Sequence, residues 1–125
     1  EAAAGDERIL FLDFQNQQLM PVVYRLGNVF VLPSKGPGET WGLSVNEAMA
    51  CSRPVIVSDK CGCAADLIKK NGFCFNHLNQ LELEKAILFF VDRKGNELRE
   101  MGEKSRTYIQ QFSFIKIAKA LESIV

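Results

Sequence analysis

Two continuous apolar runs, "NVFVLPS" at 28–34 and "PVIVSD" at 54–59, constrain this chain more than any other feature. Each has the length of a strand and is rich in β-branched and aromatic residues. Neither alternates apolar with polar, so both are expected to be strands covered on both faces, as in a parallel sheet clad in helices. The segment between them supplies a helix, with apolar residues at Leu43, Val45, Ala48, Met49 and Ala50 and a stop at Arg53-Pro54. Strand, helix, strand in this order is the repeating unit of an α/β layered fold.

The flanking segments extend the alternation. "RILFLDF" (8–14) follows a Gly-Asp turn and reads as a strand. Residues 16–27 read as a helix, with Leu19, Met20, Val22, Val23 and Leu26 apolar, Pro21 in the first turn and Gly27 as the stop. "KCGCAADLIKKNG" (60–72) gives a turn, a short helix and a glycine stop before a short strand, "FCF" (73–75). Helices are expected at 80–92, 96–112 and 113–125, the last with Ser113 as its N-cap. The opening "EAAAGDER" reads as the end of a helix running into a turn, as if cut from a longer chain.

Composition narrows the function classes. The chain has 125 residues, 47% of them hydrophobic, which suits one domain with a real core. Fifteen basic residues balance fifteen acidic ones, so the basic stripe of a nucleic-acid binder is not expected. No apolar run approaches the roughly 20 residues of a membrane span, and no signal-peptide pattern opens the chain. The four cysteines are spaced C-x9-C-x-C-x10-C without a C-x2-C pair, and His77 is the only histidine. Zinc and a disulfide scaffold are therefore not expected, and reduced structural thiols point to the cytoplasm. Cys61 and Cys63 lack the C-x-x-C spacing of a redox pair. His77 is expected to be a surface loop residue. The aromatics of "RTYIQQFSF" have the spacing of core residues.

The stretch "GETWGLSVNEAMA" (38–50) is where chemistry is concentrated. A helix beginning near Gly42 leaves its first N–H groups unpaired at its positive end, a ready site for phosphate. Gly42 lets a ligand approach the backbone without a β-carbon in the way. Glu39 lies just before the helix and Glu47 in its second turn, so both could border one cleft and accept bonds from sugar hydroxyls. The same spacing also suits a glutamate complementing the helix dipole and another on a solvated face. Lys35, in the preceding loop, could equally meet phosphate or water.

The ordered set "VFVLPSKGPGETWGLSVNEAMACSRPVIVSD", followed by "CGCAADLI", "NGFCF", "LEKAILFFVD", "LREMGEKSR" and "FSFIKIAKAL", resembles the retaining GT-B-fold glycosyltransferases of group 1, the glycogen-synthase-like superfamily with its E-x7-E motif. The likeness covers residues 8–125 and implies a Rossmann-like three-layer α/β sandwich with a mostly parallel sheet. It implies that 1–125 is one partial carboxy-terminal, donor-binding domain, truncated at its N-terminal side, the acceptor-binding domain being absent. Glu39 would face the donor sugar as the catalytic glutamate. Glu47 would hold the ribose, the amides of Gly42 and Leu43 would cradle the distal phosphate, with Trp41 beside them, and Phe14 and Gln15 would lie against the base.

The implied reaction is metal-independent, cofactor-free transfer of a hexosyl group from a nucleotide-sugar to a saccharide or lipid-linked acceptor, with retained configuration. A non-catalytic nucleotide-binding module and a nucleotide-sugar epimerase are the alternatives. The Arg and Lys that usually grip the diphosphate match no segment here, Trp41 replaces the common Phe, and Ala65 a common Pro. The missing strands would leave 8–14 either paired directly with 28–34 or as an open edge that offers a route to a homodimer. The full-length protein could lie at the inner face of a membrane.

Overall fold

A computed structural model of the chain describes residues 5–124. Residues 1–4, where the sequence suggested the end of a helix, and residue 125 lie outside the described part. In chain order the elements are α1 (Met20–Leu26), β1 (Phe30–Leu32), α2 (Leu43–Ala50), β2 (Val55–Ser58), α3 (Ala64–Leu67), β3 (Gly72–Phe75), α4 (Gln80–Val91), α5 (Gly95–Ile109) and α6 (Phe114–Glu122), with a 3-10 turn at Gln110–Phe112. The three strands form one parallel sheet in the order β1-β2-β3, with Phe30 opposite Val55 and Val55 opposite Gly72.

Side chains of a strand alternate between faces, and β2 divides the core accordingly. Val55 and Val57 join Val45, Met49 and Leu67 on one face, while Ile56 joins Phe75, Ala86 and Phe90 on the other. The first face is covered by α1, α2, α3 and α5, the second mainly by α4. The result is the Rossmann-like three-layer α/β sandwich implied by the sequence. Among the described residues no helix is long and apolar enough to cross a membrane.

Two expectations need correction. Residues 8–14 form no strand, and Ile9, Leu10, Phe11, Leu12 and Phe14 are all exposed. A strand requires a neighbour to take its backbone hydrogen bonds, and this segment neither pairs with β1 nor supplies a sheet edge of its own. β1 is not buried on both faces either, because it is an edge strand and its Val31 is exposed. β2, in the centre, is buried at every position. In α1 the buried residue is Tyr24, whereas Val22, Leu26 and the N-cap Leu19 face outward. Ser113 occupies the N-cap of α6, as expected, although its side chain makes no capping bond.

Candidate functional site

Because the strands are parallel, their carboxyl ends lie on one side, where the loops 33–42, 59–63 and 76–79 emerge. The first of these loops is pinned by its neighbours. The buried Ser58 hydroxyl donates to the Ser34 carbonyl and accepts the Lys60 N–H at 3.0 Å. The Gly62 N–H donates to the Thr40 carbonyl at 3.1 Å and the Cys63 N–H to the Trp41 carbonyl at 3.0 Å. A β-carbon at residue 62 would stand 2.4 Å from that Thr40 oxygen, so only glycine lets the two loops close. The Cys-Gly-Cys turn thus clasps the loop that carries Glu39.

Its thiols are inert by the same packing. Burial pushes Cys61 up and Cys63 up to about 11, and the nearby Glu39 charge adds to both. Neither forms thiolate readily near neutral pH. All four cysteines are free; Cys51, Cys61 and Cys63 are buried and Cys74 is exposed.

The clasp delivers the chain to α2 through Gly42, which sits at φ +95° with its would-be β-carbon 3.2 Å from the Cys63 sulfur. No side chain caps the helix. Among the described residues no backbone or side-chain oxygen takes the N–H groups of Gly42, Leu43 or Ser44. Leu43 is 69% exposed and Gly42 is buried, so this positive helix end reaches the surface at Leu43. Glu39, three residues earlier, is half-buried and makes no hydrogen bond among the described residues.

Glu47 is engaged by the chain itself. Its Oε2 accepts from the Tyr24 hydroxyl at 2.7 Å and its Oε1 from the Gln17 amide. Burial and the Glu47 bond push the Tyr24 phenol well above its usual range. These two partners escape a local reading of the sequence, since they lie on α1 and on the turn before it. Trp41 turns inward: its Nε1 donates to Asn46 Oδ1 at 3.1 Å, and its ring lies 6.5 Å from that of Phe112. Gln15 donates to the Asp13 carbonyl, and the 94% exposed Phe14 packs against nothing buried.

Two further side chains share this end of the sheet. The stem of Lys60 passes Gly36, where a β-carbon would stand 3.7 Å from Cδ. His77 is no free surface residue. Its N–H and its Nδ1 both meet Asp59 Oδ1, at 3.0 and 2.8 Å. The His77 N–H is the main cause holding the Asp59 carboxyl below its ordinary range. Four cavities of about 700, 340, 440 and 280 Å³ have described linings, and none includes Glu39, Gly42, Leu43 or Glu47. The candidate site is an open face of this chain.

Residues 1–108 match the family described as "Glycosyl transferases group 1". The chain belongs to the group 1 glycosyltransferases. The fold of this glycosyltransferase chain is similar to that of a sucrose-phosphate synthase from Thermosynechococcus elongatus, with a TM-score of 0.81 and 27% identity. That match covers 95% of this chain and 30% of the synthase, so the chain spans about a third of that protein's length. No curated protein matches the sequence.

Proposed function

We propose that this group 1 glycosyltransferase chain binds the nucleotide-sugar donor of a retaining, metal-independent hexosyl transfer to a saccharide or lipid-linked acceptor. A second, acceptor-binding domain would form the rest of the cleft. The observation that carries the reading is the uncapped start of α2, whose first N–H groups find no oxygen among the described residues, three residues after a half-buried Glu39 that makes no hydrogen bond among them. Backbone N–H groups at a positive helix end suit the distal phosphate of a diphosphate. They would also stabilise the charge that grows on that diphosphate as the sugar leaves, which lowers the barrier without a metal. Lys35 and Lys60, on loops at the same end of the sheet, would be the cations for this task. Glu39 would receive the sugar hydroxyls and Glu47, oriented by Tyr24, the ribose.

The test is titration of UDP-, GDP- and ADP-glucose against the full chain by calorimetry. One of the three is expected to bind saturably. Glu47→Ala should weaken free and sugar-bearing nucleotide alike by about tenfold, or 1.4 kcal/mol. Glu39→Ala should weaken only the sugar-bearing form. Absence of binding by all three, or affinities untouched by both substitutions, would overturn the proposal. The Tyr24 and Gln17 bonds favour one other reading, a non-catalytic module in which Glu47 is purely a packing residue. In that case Glu47→Ala would lower the melting temperature and leave nucleotide affinity unchanged.

A further inference from the structure

Five of the chain's six arginines, Arg25, Arg53, Arg93, Arg99 and Arg106, line a single cavity of about 700 Å³. The sixth, Arg8, is paired with Asp6. The only carboxylate in the lining is Glu103, and no lysine contributes. The chain as a whole carries no net charge, so the gathering of guanidinium groups is not the by-product of a basic protein. The cavity lies at the amino ends of the strands, beside Asn28 before β1 and Ser52 to Pro54 before β2. The length of α2, about 12 Å at 1.5 Å per residue, separates it from the open Gly42 end.

Part of the cluster is fixed in place. Arg53 donates from Nε to the Cys51 carbonyl at 3.1 Å and from Nη1 to the Gly27 carbonyl at 3.0 Å. Arg25 donates to the Pro21 carbonyl. Arg93 lies 3.9 Å from the centre of the Phe89 ring and 3.8 Å from Glu97. Arg99 and Arg106, seven residues apart on α5, share a helix face with Glu103 and make no ion pair among the described residues. Five guanidinium groups around one space with a single carboxylate make it a positive field that favours an anion.

We propose that this cavity is a second binding site, for a small phosphorylated molecule, distinct from the start of α2. The planar guanidinium fork matches phosphate oxygens bidentately, which a lysine cannot do. The volume falls within the roughly 300–1,000 Å³ of small-molecule sites. Leu98 in the lining offers apolar contact to the organic part of such a ligand.

The experiment is titration of the isotope-labelled full chain with inorganic pyrophosphate at constant ionic strength, followed by amide NMR. Saturable shifts are expected at residues 52–53 and 95–99. In the exposed pair Arg99→Ala/Arg106→Ala, affinity read from those amides should fall at least tenfold, while any response of residues 42–44 stays as it was. The pair Arg99→Lys/Arg106→Lys keeps the charge and the helix, and should bind with intermediate affinity because the fork is lost. No saturable shift at 52–53 and 95–99, or equal affinity in all three chains, overturns the proposal. So does a poly-glutamate peptide that shifts these amides where pyrophosphate does not, since the groove would then fit an acidic protein segment.

Discussion

Glu47 lies between two donors of its own chain, the Tyr24 hydroxyl at 2.7 Å and the Gln17 amide. An ionised carboxylate offers about four lone-pair positions, so engagement by two donors leaves room for a ligand's hydroxyls. The Tyr24 bond sets the orientation. It also makes stability depend on alkaline pH. The folded phenol titrates above its ordinary value of 10.0 because burial, and then Glu47, disfavour the phenolate. Its contribution is therefore full below pH 10 and declines as pH rises beyond it, when the unfolded chain releases a proton that the folded chain keeps. Tyr24→Phe should cost about 1.5–3 kcal/mol near neutral pH, the worth of a hydrogen bond to a charged acceptor. It should also flatten the decline above pH 10. Urea unfolding between pH 8 and 11 measures both, and an alkaline limb unchanged by the substitution would count against this role.

At the scale of elements, α5 owes its position to Gly102. A β-carbon there would lie 2.1 Å from the Ser52 carbonyl oxygen, on the turn that follows α2. Ser52 itself has φ +57°, so the turn has little freedom to retreat. In an open helix Gly→Ala stabilises by about 1 kcal/mol. Here the clash reverses the sign, and Gly102→Ala should destabilise by about 1–3 kcal/mol in urea unfolding. A gain in stability would show that α5 and the turn part without cost. Elements whose pattern is local were legible in the sequence: α2, β2, α4 and α5 follow from apolar spacing and, for α2, from the stop at Arg53-Pro54. What was illegible depends on partners distant in sequence. Residues 8–14 have a strand's composition and no strand beside them, and the edge position of β1 is a property of the sheet. At the candidate site, Glu39, Gly42 and Glu47 stood out by type and spacing. The clasp of Gly62 on Thr40 and the bonds of Tyr24 and Gln17 to Glu47 arise only on folding.

Across the whole molecule, burial is concentrated around β2 and falls away toward both ends of the chain. β2 is covered on each face, and the packing of α2 and α5 over Val55 and Val57 closes the larger cluster. By contrast, α6 buries none of its residues, although Phe114, Ile115, Ile117 and Leu121 are apolar, and residues 9–14 are likewise outside the core. Such unevenness sets a hierarchy of opening, since segments with few buried contacts unfold locally at little cost. Hydrogen exchange should therefore find the amides of Val55–Ser58 opening only with the whole domain. Those of 9–14 and of α6 should exchange close to unprotected rates. Removing residues 114–125 from the chain should change unfolding free energy by no more than about 0.5 kcal/mol, the range of surface changes. If α6 proved as protected as β2, its apolar face would have to be packed in solution. Its exposed position would then be the part of this architecture to revise, while the sheet and the loops that carry Glu39 and Glu47 would stand.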